Sequence, residues 1–295
     1  MLLLLACTAG KVDPPSPATP TDVAIWAGGG GACLLTDHKA TCQMVQGGDI
    51  DYGQMDPPGI DFTALTVGDS ITCGLRADQT ATCWGWSASE QLDVPDIRWR
   101  QIEMDYEHAC GITAEGPIRC WGRAYVGEND APEGDGWIDV GAEAVAACAL
   151  DGAGVPVCWG FEDNGLLAET PPGPFVDIVT QGTAACGVTA EGRVSCWGPD
   201  TELGYSPVPD EAGLSQLTLG DFHACALRED HTAVCWGINS VGTTPPPTGT
   251  FRSIAAGQHF VCGVHEDAEA TVECWGCSNE GDAYCNWGTA APFFE

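Results

Sequence analysis

Cysteine is the residue type in this sequence whose number and spacing most clearly predict chemistry. The chain has 17 cysteines among 295 residues, which in a reduced cytoplasm would have to bind metal and in an oxidising compartment would form disulfides. Sixteen of them fall into eight close pairs, and Cys7 stands alone. In seven pairs the first cysteine recurs at intervals of 37–40 residues, at Cys33, Cys73, Cys110, Cys148, Cys186, Cys225 and Cys262. A period this regular predicts a repeat fold.

In these seven pairs the second cysteine lies nine to twelve positions after the first, across a polar turn such as the one around Asp78. Opposed side chains in a β-hairpin have Cβ atoms about 4.5–5.5 Å apart, close enough for a disulfide after slight adjustment. Structural zinc needs two closely spaced ligand pairs per ion, and these pairs have no regular histidine partner. With the leftover pair added, we predict eight disulfides: Cys33–Cys42, Cys73–Cys83, Cys110–Cys120, Cys148–Cys158, Cys186–Cys196, Cys225–Cys235, Cys262–Cys274 and Cys277–Cys285.

Cys274-Trp275-Gly276-Cys277 is formally a Cys-x-x-Cys motif, which in a thioredoxin-like protein would be a redox pair. The repeat assigns Cys274 to Cys262, and the leftover Cys277 and Cys285 flank an Asn-Glu-Gly-Asp turn. We therefore expect an eighth structural bond at this place instead of redox chemistry.

The residues that must position these cysteines repeat with the same period. An aliphatic residue stands eight positions before the first cysteine in all seven units, and six units carry a large apolar residue three positions earlier, where the first unit has Asp22. Six of the seven second cysteines begin a Cys-Trp-Gly triplet. Each unit therefore predicts three short strands and a Gly/Pro-rich connection, which is one propeller blade. We predict an all-β fold, a seven-bladed β-propeller over residues 22–295 with one intra-blade disulfide per blade, and a β-solenoid is the structural alternative.

The segments Leu219–Leu227, Cys235–Asn239 and Ala255–Val264 fit the pattern Ala-Gly-x-x-His-x-Cys-Gly-Leu followed by Cys-Trp-Gly-x-Asn-x-x-Gly-Gln-Leu. With this pattern the units resemble the repeats of the regulator of chromosome condensation (RCC) family, especially its bacterial secreted type. The resemblance runs from about Asp22 to the C-terminus and implies a propeller. It does not specify a function, because the family includes nucleotide-exchange factors for small GTPases and, in a similar secreted group, proteinaceous β-lactamase inhibitors.

Residues 1–7, Met-Leu-Leu-Leu-Leu-Ala-Cys, resemble the end of a bacterial lipoprotein signal with its lipobox Leu4-Leu5-Ala6-Cys7. The basic n-region and longer apolar stretch of a full signal are missing, so the first residue could lie inside the true signal. We predict a signal remnant at 1–7 with lipid on Cys7, and a Pro-rich tether at 8–21. The alternative is a chance apolar start with a free thiol. The predicted location is the bacterial cell envelope, in the periplasm or on the outer surface, or secretion.

The net charge of −32 at pH 7 limits the partners that this protein can have. It disfavours phosphate backbones and anionic lipid headgroups, so we predict no nucleic acid partner and membrane contact only through the N-terminal lipid. It favours cationic partners or metal ions, and it could also reflect a salty habitat. The acidic segments Asp49–Asp61 and Glu128–Asp135 could hold calcium, but neither has a full ligand ladder. We predict solvated loops there, with no metal and no cofactor.

The connections after Cys-Trp-Gly differ between units, and variable loops on a rigid frame are where recognition often resides. Their aromatic residues are the candidate binding residues: Trp86, Tyr125, Phe161 and Tyr205. His108 and His223 stand two positions before the first cysteine of their units, where the last unit has Phe260. That interchange indicates packing, and no nucleophile in a triad-like motif accompanies the histidines, so we predict no catalytic residue.

Together these features predict a monomeric, non-enzymatic lipoprotein whose propeller binds a protein or a polymer such as a polysaccharide. An inhibitor of a secreted enzyme is the alternative among binding proteins. A polysaccharide-acting enzyme is the alternative from another class, and it would need convergent carboxylates or a metal at the central channel. Guanine-nucleotide exchange, which the family resemblance suggests, is disfavoured because the cysteines indicate export.

Overall fold

The computed structural model describes residues 23–45, 51–86, 90–104, 108–143, 146–161, 166, 170–199, 201, 205–238, 243, 245–267 and 269–276. These residues form 21 β-strands in seven three-stranded antiparallel sheets, each built from three consecutive strands. The fold is therefore the predicted seven-bladed β-propeller. Within the described segments, no helix has the length and the apolar character needed to cross a bilayer.

Each blade takes its three strands in chain order. The strands of blades 1 to 4 are β1 (Val23–Gly28), β2 (Gly31–Thr36) and β3 (Lys39–Met44); β4 (Ala64–Val67), β5 (Ile71–Leu75) and β6 (Ala81–Gly85); β7 (Trp99–Met104), β8 (His108–Thr113) and β9 (Ile118–Gly122); β10 (Asp139–Glu143), β11 (Ala146–Leu150) and β12 (Pro156–Gly160). Those of blades 5 to 7 are β13 (Asp177–Gln181), β14 (Ala184–Val188) and β15 (Val194–Trp197); β16 (Ser215–Leu219), β17 (His223–Leu227) and β18 (Ala233–Gly237); β19 (Phe251–Ala256), β20 (Phe260–His265) and β21 (Val272–Gly276). The first strands of successive blades contact one another, and β19 contacts β1, which closes the ring.

A disulfide joins the second and third strands of every blade, which confirms the predicted bracing. The paired cysteines lie directly opposite each other, with Cα atoms 4.0–4.1 Å apart: Cys33–Cys42, Cys73–Cys83, Cys110–Cys120, Cys148–Cys158, Cys186–Cys196, Cys225–Cys235 and Cys262–Cys274. Each bond closes a hairpin of about ten residues and should contribute about 2–3 kcal/mol by restricting the unfolded chain. The disulfides therefore secure the strand of each blade that lies farthest from the first strand.

The Cys-Gly and Cys-Trp-Gly motifs are explained by an aromatic layer inside the blades. In blade 2 the ring of Phe62 lies over Gly74 on β5, and its centroid is 5.3 Å from that of Trp84 on β6. A Cβ atom at Gly74 would lie 2.2 Å from Phe62 Cδ1, so glycine is needed beneath this ring. The same layer recurs in blades 3, 5 and 7, where the ring pairs are Trp99 and Trp121, Phe175 and Trp197, and Phe251 and Trp275.

Blade 6 fills the same layer with different residues. Ala226 stands at the position of Gly74, and the smaller Leu214 stands at the position of Phe62. Both side chains are buried in one cluster with Trp236. Enlarging one residue while its neighbour shrinks conserves the packed volume, which is the kind of change that cores tolerate best.

The tryptophan of the Cys-Trp-Gly triplet also binds the preceding connection. The indole N–H of Trp84 donates to the carbonyl oxygen of Gln54, at 2.8 Å, in the connection from blade 1. Gly85, which follows, has a φ of 116°, where the chain turns away from the blade. A residue with a Cβ atom would be strained in this conformation, and glycine is not. Equivalent bonds of 2.8–3.1 Å join Trp121 to Gln91, Trp159 to Glu128 and Trp275 to Thr243. In these blades the triplet therefore links each blade to its predecessor.

His223 and Phe260 begin the second strands of blades 6 and 7, and both are buried. Each ring lies against a glycine three residues earlier. A Cβ atom at Gly220 would lie 2.2 Å from His223 Cε1, and one at Gly257 would lie 2.2 Å from Phe260 Cε1. The two rings are therefore equivalent packing elements, as the interchange of histidine and phenylalanine predicts.

Candidate ligand-binding face

The strand topology gives the propeller two distinct faces. In blade 1 the turn between the first and second strands, where Gly28 pairs with Gly31, lies at the same end of the sheet as the end of the third strand. The turn between the second and third strands lies at the other end, where Thr36 pairs with Lys39. We name the first end the channel face, because the ends of the first strands surround the central channel there. We name the second end the hairpin face. The position of a residue relative to the strand ends therefore assigns it to a face.

The central channel is narrow and polar. Its cavity volume is about 60 Å³, which has room for only a few water molecules. Acidic residues from three consecutive blades, Asp69, Glu103 and Glu143, line it together with Gln181 and Gln258. A ligand larger than a few water molecules would therefore bind on the channel face and not inside the channel.

Hydrogen bonds hold the first-to-second turns of neighbouring blades together around the channel. The Gln181 amide donates to Asp221 Oδ1 at 3.2 Å, and the Asp221 N–H donates to Gln258 O at 3.0 Å. Gln258 donates its own N–H to Gly29 O at 3.1 Å, and its side-chain amide lies 3.1–3.2 Å from both carboxylate oxygens of Asp69. These bonds connect blades 5, 6, 7, 1 and 2. The rim is therefore preorganised, so binding to it costs little ordering of the main chain.

Three of the four candidate aromatic residues lie on the channel face. Trp86 stacks on Tyr52, with ring centroids 5.7 Å apart, and Tyr52 is exposed. Tyr125 is 62% exposed, and the Arg123 guanidinium lies 4.2 Å from its ring centroid. Phe161 is also exposed. These rings offer large contact areas at positions that a partner can reach.

Tyr205, the fourth candidate, is instead buried. Its side chain is 1% exposed, and its hydroxyl donates to Gly220 O at 2.6 Å. It holds the position in its connection that Gln54 and Gln91 hold in theirs, and all three are buried. We therefore correct this assignment, because Tyr205 supports the channel-face turn at Gly220 from inside the fold and is not available to a ligand.

Phe222 is an exposed aromatic residue on the channel face that the sequence analysis missed. It lies in the first-to-second turn of blade 6, is 42% exposed, and stacks in parallel on His259 of blade 7, with ring centroids 6.5 Å apart. The aromatic residues predicted from the sequence lie in the connections between blades, whereas Phe222 belongs to a turn within one blade. A signal was present, because Phe222 directly precedes the inward-facing His223, and successive side chains of a strand point to opposite sides.

Exposed apolar side chains are sorted between the two faces. Among the described residues, the exposed aromatic ones all lie on the channel face: Tyr52, Tyr125, Phe161 and Phe222. The channel face also exposes Val126 and Ile238, whereas the hairpin face exposes aliphatic residues: Ile97, Ile138, Val155 and Val176. Aromatic side chains are the commoner anchors of protein interfaces, so this sorting favours the channel face as the binding face.

The described residues contain one group of three potential metal ligands, His108, Cys110 and Cys120. Cys110 and Cys120 are joined in a disulfide, so they have no thiolate to offer a metal. The two ring nitrogens of His108 lie 3.1 Å from the carbonyl oxygens of Glu143 and Glu128. The imidazole therefore links blade 3 to blade 4 and to the connection between them.

The acidic segment from Asp49 to Asp61 uses carboxylates in ordinary turn and surface contacts. Asp51 accepts the N–H of Gly53 at 2.7 Å, and Asp61 forms an exposed ion pair with Lys39. Asp49 lies outside the described residues. These contacts give the segment a structural use that needs no cation.

In the second acidic segment, Glu128 is buried and has one unsatisfied oxygen. Its Oε2 accepts the N–H groups of Tyr125 at 2.9 Å and Val126 at 2.7 Å, while its Oε1 has no hydrogen-bond partner among the described residues. Gln54, at the same repeat position in the connection from blade 1, places its Nε2 3.4 Å from Asp69 O. Glu128 is therefore less well satisfied than the glutamine at the same place in another connection.

Some predictions concern residues outside the described segments. These are the signal remnant at 1–7 with its lipid on Cys7, the tether at 8–21, and the bond Cys277–Cys285. They stay predictions.

Seven disulfide-braced blades and a closed circle of first strands define this protein as a repeat-built β-propeller with one hairpin clamp in each blade. The family model described as the Regulator of chromosome condensation (RCC1) repeat matches residues 215–243, which cover blade 6. The chain therefore carries an RCC1 repeat, and the predicted resemblance to the repeats of this family is confirmed, whereas its bacterial secreted type stays a prediction.

Solved structures with the same fold include proteins of plants and yeast. The entire ectodomain of the Physcomitrella patens receptor kinase CR4 is 27% identical, with a TM-score of 0.70 over 86% of this chain and 73% of its own. The CRINKLY WD40 ectodomain of the Arabidopsis thaliana receptor kinase ACR4 is 29% identical, with a TM-score of 0.68 over 87% of this chain and 95% of its own. Prp20p, the RCC1 protein of Saccharomyces cerevisiae, is 14% identical, with a TM-score of 0.62 over 88% of this chain and 82% of its own. The fold is therefore that of the RCC1-like propellers.

Proposed function

We propose that this protein is an extracytoplasmic propeller that binds a protein ligand through its channel face. The disulfide in each of the seven blades supports an oxidising compartment, because cytosolic thiols are kept reduced. The likeness to the ectodomains of two plant receptor kinases, at 27% and 29% identity, supports the same location. A rigid repeat frame with differing loops is suited to recognition.

The observation that carries the proposal is the sorting of exposed aromatic side chains to one face. Tyr125 and Phe222 extend from different blades, and the rim beside Phe222 is held by hydrogen bonds between blades. Aromatic rings on a rigid frame lose little conformational entropy on binding and supply much of the energy of protein interfaces. Because the channel holds only a few water molecules, the recognition surface is the outer surface of the channel face, which suits a protein better than a small molecule.

A pull-down with face-specific variants tests this proposal. Tyr125→Ala with Phe222→Ala removes two exposed rings from the channel face, and Ile138→Ala with Val176→Ala removes two exposed side chains from the hairpin face. From the native envelope fraction, wild-type protein and the hairpin-face variant should recover one stoichiometric protein partner. The channel-face variant should bind it more weakly by about tenfold or more per ring. Loss of the partner with the hairpin-face variant alone would contradict the proposal.

For the location, we propose that a lipid on Cys7 holds the propeller at the bacterial cell envelope and that residues 8–21 act as the tether. The apolar run that ends in Ala6-Cys7 and the prolines of the following segment support this. Cys7→Ser should move the protein from the membrane fraction to the soluble fraction and abolish labelling by a palmitate analogue. Membrane retention of that variant would count against the anchor.

The wild-type protein and its variants also test two alternative functions. An inhibitor of a secreted enzyme would be one form of the binding function, and the identity of the recovered partner would reveal it. A polysaccharide-acting enzyme is favoured only by the acidic residues that line the channel, Asp69, Glu103 and Glu143. Turnover of a polysaccharide by the wild-type protein that Glu103→Gln abolishes would refute the binding proposal.

A further inference from the structure

Basic residues are sorted between the faces more strictly than apolar ones. The chain has ten Lys and Arg residues, of which Lys11 precedes the described segments. Arg123, which follows the end of β9, is the one base that the described segments place on the channel face. The other eight lie within two residues of a strand end at the hairpin face: Lys39, Arg76, Arg98, Arg100, Arg119, Arg193, Arg228 and Arg252.

Bases at the hairpin face have structural uses there. Arg228 forms a two-point ion pair with Glu211, at 3.0 and 3.2 Å, and Arg193 pairs with Asp210 at 3.2 Å. Both pairs join a hairpin turn to the connection between blades 5 and 6. These two bases are therefore paired with acids of the same face.

Acids at the channel face are held by neutral donors. Asp69 and Asp221 accept hydrogen bonds from the side-chain amides of Gln258 and Gln181, which are themselves neutral groups. His259 lies 4.0 Å from Asp221 and would add a positive charge only when it is protonated. The channel face therefore brings rim carboxylates and exposed aromatic rings together, with Arg123 as the one base that the described segments place there.

We propose that the ligand of the channel face is a basic polypeptide segment, whose lysine and arginine side chains lie over the exposed rings and beside the rim carboxylates. This inference rests on the proposed function and specifies its partner. A surface with one sign of charge raises the local concentration of oppositely charged partners and speeds their association. The protein has a net charge of −32, and a basic ligand at the channel face would be repelled by fewer of the protein's own bases than at the hairpin face.

The protein already contains one contact of the proposed kind. Arg123 places its guanidinium 4.2 Å from the ring centroid of Tyr125, which is a cation–π geometry. Phe222 offers a second exposed ring and directly follows Asp221, a carboxylate of the rim. Tyr52 offers a third and directly follows an aspartate as well. Two of the three exposed rings therefore stand next to an aspartate in the sequence, in channel-face segments that a cationic side chain can reach.

The distribution of the rings favours a polypeptide over a small cation. Tyr52 lies in the connection from blade 1, Tyr125 in that from blade 3 and Phe222 in a turn of blade 6. One occupant must therefore reach across several blades to contact them all. A metal ion would bind oxygen ligands and would gain nothing from the rings, and a small organic cation would cover only one of them.

The test uses the full-length protein and, as probe, a synthetic peptide rich in lysine and arginine. A neutral counterpart carries acetyl-lysine and citrulline in place of the bases. The channel-face variant combines Asp69→Asn, Glu103→Gln, Glu143→Gln and Asp221→Asn, and the hairpin-face control combines Asp37→Asn, Glu115→Gln, Glu191→Gln and Glu229→Gln. Both variants lose four negative charges, so they have the same net charge and differ in the face that is changed.

Fluorescence anisotropy at low salt should show the basic peptide binding about tenfold more weakly to the channel-face variant than to wild type. The hairpin-face control should differ from wild type by less than about twofold, and added salt should weaken the wild-type complex. Equal losses in both variants would show attraction to the net charge alone and would overturn the inference. Equal affinity for the neutral peptide would overturn it as well.

A second pair of variants keeps the test decisive if the amide substitutions disturb the rim. Phe222→Arg adds a base at an exposed position of the channel face, and Val176→Arg adds one at an exposed position of the hairpin face. We expect about a tenfold loss of basic-peptide affinity for the first and little change for the second. Suppose that Tyr125→Ala with Phe222→Ala loses the native partner while no charge variant changes peptide binding. That result would support the channel face as the binding face and reject a basic polypeptide as its ligand. If the alanine variant instead retains the native partner, the proposed function itself is rejected.

Discussion

Acid should destabilise this propeller through His223. The imidazole is fully buried at the junction of blades 6 and 7, and this burial lowers its pKa from 6.5 to about 4, with an opposing contribution from the main chain of Phe260 and a further lowering by His259. The unfolded chain therefore takes up a proton that the folded protein resists. The stabilisation is complete above pH 6.5 and is lost as the pH falls from 6.5 towards 4. The pKa difference corresponds to about 3 kcal/mol, of which about 2 kcal/mol is lost between about pH 7 and pH 5.

His223→Phe removes the titrating group while keeping the ring. Phe260 holds the same position in blade 7 and lies against Gly257 as His223 lies against Gly220, so a phenyl ring should fit. Unfolding by guanidinium with the disulfides intact gives the free energy of unfolding at each pH. Between about pH 7 and pH 5, the wild-type value should fall by about 2 kcal/mol more than the value of the variant.

His38→Asn is the matched control. His38 is exposed, its ring contacts the carbonyl oxygen of Phe62, and its φ of 67° is one that asparagine tolerates better than most residues. The unfolding free energy of this variant should follow the wild-type pH dependence. If the wild-type and His223→Phe curves stay parallel over this pH range, burial does not hold the imidazole neutral and the reasoning is refuted.

Three further predictions concern packing, a buried carboxyl group and a disulfide, each measured as the free energy of unfolding at pH 7. Gly74→Ala should lower it by about 2 kcal/mol, because the new Cβ would lie 2.2 Å from Phe62 Cδ1. Adding Phe62→Leu should recover part of that loss, and strictly additive losses would argue against a shared layer. Glu128→Gln should raise the free energy by about 1 kcal/mol, because a neutral amide costs less to bury than a carboxylate with one unpaired oxygen, and a decrease would show that the carboxylate is satisfied there. Cys186→Ala with Cys196→Ala should lower it by about 2–3 kcal/mol, whereas an unchanged value would mean that the bond does not restrict the unfolded chain.

The blades and their disulfides could be predicted because they depend on side-chain type at a fixed register. Paired cysteines such as Cys73 and Cys83 must face each other across a hairpin, so their spacing reveals both the strands and the turn. The aromatic layer leaves a similar trace, since a large residue at 62 requires a glycine at 74. Each such pattern occurs once in nearly every unit, so a single sequence was enough to predict the propeller.

The connections could be predicted only in part, because what repeats there is the path of the main chain. The buried position after the glycine of a connection is filled by Gln54, Glu128 and Tyr205, whose side chains share neither size nor charge. Nothing in their types indicates that Tyr205 is buried while Tyr125 is exposed. The sorting of charge was equally hidden, since composition gives a net charge of −32 and only the strand ends assign each base to a face.

Site-specific photo-crosslinking tests most directly the claim that the channel face is the binding face. A photoreactive phenylalanine analogue replaces Phe222 in one variant and Ile138 in another, both of which are exposed, on opposite faces. Full-length protein is then illuminated in the native cells. We predict a discrete protein adduct from position 222 and none from position 138. An adduct from position 138 alone would contradict the claim.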